Sequence, residues 1–207
     1  MKGKRIEKNK QAKIGENLRE VKAVLRRDYR QKRAAITPEE KAQMDAAIVR
    51  RLIGLRSYSY SDNLLLYYPR PDEIDVLPLA RQAIADGKAV YFPISGERGI
   101  MEFRRVVDLD GEFLPGKFGI REPSTSCPLL DKSVAIGATL VIMPALSIDR
   151  EGYRLGYGKG YYDRYLIDLT ASVIGIVYDR LLADKLPRGK FDRRADLVVT
   201  DKQTIYM

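Results

Sequence analysis

A chain of 207 residues, 45% hydrophobic and 31% charged, has the length and balance of one globular domain and not those of a disordered polymer. It holds no histidine and one cysteine, Cys127, which excludes Ser-His-Asp triads, His-assisted thiols, His-ligated zinc and any internal disulfide. The net charge of +9 sits entirely in residues 1–33, with thirteen Lys/Arg against four Asp/Glu, so the body is neutral and nucleic acid is not its expected partner.

Residues 1–16 are Lys-rich without apolar periodicity and read as a flexible basic arm, leaving 17–207 as a single domain. Leu18, Val21, Val24 and Leu25 open a helical spacing whose other face carries Lys and Arg. A second helix restarts at Thr37, whose hydroxyl suits the N-cap. Pro38 suits the first helical position and Glu40 completes a capping box, with Ala46, Ala47, Val49 and residues 52–55 as the buried side. Strands and helices then alternate. NLLLYY (63–68) reads as a buried strand, 75–86 as a helix closed by Gly87, and AVYFPI (89–94) and 100–106 as strands. The Gly- and Pro-rich stretch 111–128 reads as mostly loop, and TLVIMP (139–144) as the clearest buried strand. After a glycine cluster come a helix over 161–169 and strands at 173–177 and 197–200. This alternation predicts an α/β domain: three layers, α/β/α, around a central, largely parallel open sheet that binds its ligand beyond the carboxyl ends of the strands.

No run approaches the roughly 18 consecutive apolar residues of a membrane-spanning helix, and the basic start lacks a secretory apolar segment. With its lone thiol, the chain is expected in the cytoplasm, as a monomer with no membrane partner.

Without histidine, chemistry must fall to carboxylates, Lys/Arg, Tyr, backbone amides or a hard metal, a set that suits phosphoryl transfer. Gly156, Gly158 and Gly160 lie between the TLVIMP strand and a helix start. Alternate glycines let a backbone turn tightly and approach an anion, and a helix start attracts phosphate. Arg154 and Lys159 add positive charge, and Asp163 could hold magnesium through oxygen. The pattern is neither a Walker A sequence nor a dinucleotide fingerprint, and a purely structural turn is its competing reading.

The segment RLGYGKGYYDR (154–164) closely resembles the signature of the 5-formyltetrahydrofolate cyclo-ligase family, also called methenyltetrahydrofolate synthetase. KAVLR (22–26), DEIDVLPL (72–79), GIREP (119–123) and MPALSIDREGYRLG (143–156) fall in the family's order, so the likeness covers roughly residues 22–200. It implies conversion of 5-formyltetrahydrofolate, a reduced formyl folate, to 5,10-methenyltetrahydrofolate, with ATP and magnesium and a phosphorylated formyl intermediate.

By that resemblance Lys22, Arg26, Arg154, Leu155, Gly156, Tyr157, Gly158, Lys159, Gly160, Tyr161 and Tyr162 bind ATP, and Arg154, Lys159 and Tyr162 are catalytic. Tyr68, Glu73, Tyr157 and Tyr161 contact the folate, and Asp163 and Asp192 hold magnesium. Taken alone, Lys22 and Arg26 also fit a solvated helix face, Glu73 a helix cap near Asp75, and Asp192 a solvated loop. The chain departs from many relatives in having Phe191, not histidine, before Asp192, and a bulky Tyr68. An RNA-binding protein using the basic arm, or an ATP-dependent enzyme acting on another small anion, are the rival readings.

Overall fold

The computed structural model describes the backbone of residues 2–133 and 138–207, with side chains except those of residues 2–16, 98 and 118. The first helix, α1 (Lys2–Ala34), carries helical backbone through the stretch read as a flexible arm. No proline precedes Pro38 and Lys, Glu, Gln and Ala are frequent, so nothing local stops the helix. The side chains of that arm lie outside the described residues.

The inward face of α1 keeps only half of the apolar spacing, Leu18 and Leu25. Val21 and Val24 are 42% and 54% exposed, whereas Leu18, Lys22, Leu25, Arg26, Tyr29 and Arg33 turn toward the body. These six also repeat at helical spacing, but half of them are cations, and a search for apolar stripes passes over such a face.

Helix α2 (Pro38–Ile53) has the expected capping box: Thr37 Oγ1 accepts the Glu40 amide at 3.2 Å and Glu40 Oε2 accepts the Thr37 amide at 3.0 Å. Its buried side is Asp45, Ile48, Val49 and Leu52, with Ala46 exposed. A short α3 (Arg56–Ser59) leads into strand β1 (Asn63–Leu65), which ends earlier than the apolar run. Leu66 and Tyr67 stay buried beyond it as the chain turns toward the cleft. Helix α4 (Leu77–Ala85) starts two residues later than the sequence suggested, because Asp75 Oδ1 accepts the Leu77 amide at 2.9 Å.

Next come β2 (Ala89–Ser95) and β3 (Met101–Val106), and then β4 (Phe113–Pro115) and β5 (Arg121–Pro123). These last two pair as a hairpin inside the segment expected to be loop. Its strands are only three residues long, so tertiary packing and not local pattern sets them. Strand β6 (Thr139–Pro144) matches its expectation, followed by β7 (Ser147–Asp149), β8 (Arg154–Leu155) and α5 (Tyr161–Tyr165). The helix expected over 161–169 is thus five residues of α5 and a 3-10 turn, Leu166–Asp168. The chain closes with β9 (Ser172–Ile176), β10 (Leu182–Ala183), β11 (Leu197–Val199) and β12 (Thr204–Tyr206).

Seven strands form one sheet in the order β12-β11-β9-β6-β1-β2-β3. The five inner strands are parallel, and β12 and β3 add antiparallel edges. Side chains sort by the period of two. Leu64, Leu66, Leu140, Ile142, Ile174 and Ile176 pack under α2 and α4 against Ile48, Leu52, Leu79 and Ala83. Leu65, Val141, Met143 and Val173 pack on the other face against Tyr165, Leu166 and Leu169. Each such buried side chain contributes roughly 1.5–3 kcal/mol, and together they make the sheet a stiff platform. The result is the expected α/β fold.

Two features position the site. From β1 the chain proceeds to β2 on one side, while β6 lies on the other side of β1, so the strand order reverses there. Crevices at such reversals are where open α/β sheets bind ligands. A small sheet in the order β10-β7-β8 stands beyond the end of β6, with α1 packed on it through Leu25 and Tyr29. Among the described residues, no helix is long and apolar enough to cross a membrane.

Candidate functional site

A cleft of about 490 Å³ opens beyond the carboxyl ends of β1, β2 and β6. All the residues singled out in the sequence line it: Lys22, Arg26, Tyr68, Glu73, the run from Arg154 to Asp163, and Asp192. They come from α1, the loop after β1, the β8–α5 loop and the segment before β11. The fold, not chain proximity, makes them one site.

The glycine loop forms the floor. Gly158 and Gly160 have φ of +99° and +67°, values that only glycine adopts readily. A Cβ on Gly158 would sit 3.2 Å from Arg26 Cζ. Arg26 lies on the loop, its Nε donating to the Gly156 carbonyl at 2.8 Å, and Lys22 forms a close ion pair with Asp192. Asp192 also accepts the Gly189 amide at 2.7 Å. Burial, then the neighbouring Arg30, lowers the Arg26 pKa, against an opposing pull from Asp192. Crowded cations of this kind are relieved by a bound anion. Five-residue α5 offers little helix dipole, so the attraction expected from a long helix start falls instead to these cations and the loop amides.

Tyrosines and one carboxylate also line the cleft. Glu73 is 5% exposed, and its Oε2 accepts the Arg70 amide at 3.0 Å. Burial pushes its pKa up, and the Arg70 amide and the nearby Tyr157 hydroxyl act against the rise. Glu73 is not a helix cap, since Asp75 takes the first amide of α4. Tyr68 packs edge-on to Phe113, with ring centroids 4.8 Å apart, and Phe113 packs on Phe92, which gives the wall an aromatic backing. Tyr161 donates to the Gly96 carbonyl at 3.4 Å. Burial, then Glu73, raises the Tyr162 phenol pKa, so it stays a hydrogen-bond donor. The Tyr162 hydroxyl and Arg154 Nε are buried with no hydrogen-bond partner among the described residues, an arrangement that a ligand in the cleft can satisfy.

The fit to magnesium follows from the donors present. Among the described residues no cluster of three acidic, His or Cys side chains exists, so no all-protein metal cage is formed. Asp163 and Asp192 line the same cleft, each with a cationic partner, Arg154 and Lys22. One or two carboxylates completed by phosphate oxygens and water is the usual magnesium arrangement in nucleotide sites, and this pair fits it.

Sequence reasoning missed Arg30, Tyr67, Arg70, Ser95, Met101 and Glu122, which also line the cleft. Arg30 had a signal, lying one turn beyond Arg26 on the basic stripe of α1. Tyr67 and Glu122 lie in the NLLLYY and GIREP segments but carried no mark of their own, and Arg70, Ser95 and Met101 sit on a turn and on strand ends.

The family model described as the 5-formyltetrahydrofolate cyclo-ligase family matches residues 18–201. The 5-formyltetrahydrofolate cyclo-ligase of Mus musculus is 23% identical, with 84% of this chain and 91% of the relative covered. That of Escherichia coli K12 is 27% identical, with 83% and 95% covered. Among solved structures, Aquifex aeolicus 5,10-methenyltetrahydrofolate synthetase is similar at a TM-score of 0.78 and 29% identity, covering 90% of this chain and 92% of that one.

Proposed function

The chain belongs to the 5-formyltetrahydrofolate cyclo-ligase family, and from that membership we propose that it converts 5-formyltetrahydrofolate into 5,10-methenyltetrahydrofolate, consuming ATP with magnesium and releasing ADP and phosphate. A formamide oxygen is a poor leaving group; ATP supplies the phosphoryl group that makes it a good one, and magnesium neutralises the phosphates.

The chain's own residues bind, orient and stabilise. Lys22, Arg26 and Lys159, with Leu155, Gly156, Gly158 and Gly160, hold the phosphates, and Asp163 and Asp192 hold the metal. Arg154 and Lys159 stabilise the charge that develops as the γ-phosphoryl group moves to the formyl oxygen. Tyr162 donates a hydrogen bond beside them. Glu73, Tyr68, Tyr157 and Tyr161 orient the folate so that its neighbouring nitrogen attacks the formyl carbon, whose C–O bond to the phosphorylated oxygen then breaks. The ring closes and phosphate leaves, and no histidine base is needed. The enzyme acts in the cytoplasm as a monomer, a setting that its single thiol, Cys127, suits.

What supports the reading is the convergence in one cleft of a cation-flanked glycine loop and a tyrosine-walled buried carboxylate. The test is the near-ultraviolet absorbance of the methenyl product, followed with saturating ATP, magnesium and 5-formyltetrahydrofolate. Product that requires all three supports the assignment; its absence overturns it.

A further inference from the structure

Arginine is seldom fully buried unless paired with a carboxylate. Arg33, near the end of α1, is 5% exposed and none of its hydrogen-bond acceptors is a carboxylate. It does not line the cleft but lies behind it. Its guanidinium donates to the carbonyls of Ala145, at close range, and Leu146, at 3.4 Å, in the turn between β6 and β7. It also donates to the Tyr157 hydroxyl at 3.0 Å.

The polarity of this contact is fixed by chemistry. Guanidinium can only donate and an ionised carboxylate can only accept. The Tyr157 hydroxyl accepts from Arg33, which leaves its own proton free to turn toward the neighbouring Glu73. Charge at both ends strengthens both links. Arg30 and Arg70 lie 6.0 and 5.2 Å from the centroid of the Tyr157 ring and help to fix its orientation.

We infer that Arg33 is a positioning residue of the folate site: from behind the cleft it fixes the Tyr157 hydroxyl, turns its proton toward Glu73 and so holds that carboxylate in orientation. The inference rests on the proposed function, in which Glu73 contacts the folate. Around Glu73 stand Asp72 and Arg70 in its own turn, Tyr67 beside β1, Tyr157 and Tyr162 from the glycine loop and α5, and Arg33 from α1. Arg33 counters the burial that favours protonated Glu73. Loss of its charge therefore raises the proton affinity of the carboxylate, and the acidic limb of kcat/KM for the folate moves to higher pH.

The experiment compares wild type, Arg33→Met, Arg33→Lys, Tyr157→Phe and the Met/Phe and Lys/Phe double variants, with circular dichroism as the check on folding. Arg33→Met should raise the folate KM about tenfold with the ATP KM nearly unchanged, and should move the acidic limb to higher pH. The Met/Phe double variant should lose no more than the worse of its two single variants, because both break one chain of hydrogen bonds. Arg33→Lys should return the limb toward its wild-type position. Losses that multiply in the double variant, or a limb that stays put in Arg33→Met, would overturn the inference. If Arg33→Met does not fold, the Lys/Phe double variant decides by the same rule of multiplication. An inactive wild type overturns the function and the inference with it, whereas multiplying losses in an active enzyme overturn the inference alone.

Discussion

Arg154 Nη2 donates to Asp163 Oδ1 at 2.8 Å at the start of α5. The guanidinium proposed for the moving phosphoryl group and the carboxylate proposed for magnesium therefore neutralise each other, and a bound magnesium would share Asp163 with that partner. Asp163→Asn keeps an acceptor for Arg154 and removes the charge. The magnesium concentration for half-maximal turnover should rise by about tenfold or more at unchanged melting temperature. A wild-type magnesium titration would remove Asp163 from the metal site.

Gly158→Ala should separate loop geometry from loop charge. The left-handed angle at this position costs a non-glycine residue about 1–3 kcal/mol, and the new methyl group meets Arg26 at 3.2 Å. Urea denaturation should report a loss of that order, and the KM for ATP should rise much more than the KM for the folate. An equal rise in both would mean that the loop does not serve the nucleotide in particular.

The raised pKa of Glu73 gives two opposite pH signatures. Activity that needs the ionised carboxylate should fall on acidification, at a pH above the usual carboxylate range, and Glu73→Gln should flatten that limb. Stability runs the other way. A carboxyl whose folded pKa lies above its unfolded value contributes stability at low pH that is lost as pH rises through the folded value. Glu73→Gln should therefore raise the melting temperature at neutral pH, with the gain vanishing toward acid. A variant no more stable than wild type at neutral pH would contradict the burial argument.

Asp45 ties α2 to the turn before α4 and to the buried Tyr178. It is buried and accepts from Tyr178 Oη at 2.7 Å, Lys41 Nζ at 2.6 Å and the Asp75 amide at 3.2 Å. Asp45→Ala leaves these donors unmet, and equilibrium unfolding should report a loss of about 2–4 kcal/mol. A loss below about 0.5 kcal/mol would mean that water replaces the carboxylate without penalty.

Removal of residues 1–16 tests the RNA-binding alternative. The family match begins at residue 18, so a chain starting at Asn17 should keep its turnover. Turnover lost with the arm, together with steeply salt-dependent RNA binding by the full chain, would favour the alternative.

The parallel strands and the glycine loop were legible because each is a contiguous signal: an apolar run, or glycines at alternate positions. β6 lies where the TLVIMP run put it, and Thr37 and Glu40 form the box their spacing implied. What escaped depends on long-range contact. β4 and β5 are three-residue strands that acquire their identity by pairing, and β8 has two residues. On α1 the apolar pattern pointed to Leu18, Val21, Val24 and Leu25; Leu18 and Leu25 turn inward, but Lys22, Arg26 and Arg33 take the place of the valines, since their neighbours are carbonyls, a tyrosine and Asp192. Arg33 and Arg70 owe their place near Tyr157 to the fold alone.

That half-cationic face gives α1 an unusual kind of attachment. Among the described residues, its apolar grip on the small sheet comes from Leu25 and Tyr29 against Leu155, Ala183 and Leu186. Lys22, Arg26 and Arg33 supply much of the remaining hold. An anion bound to Lys22 and Arg26 is then mortar between helix and sheet as well as ligand. By mass action, anything that binds only the seated helix raises the free energy of lifting it, so occupancy of the cleft and protection of α1 backbone amides from hydrogen exchange should rise together.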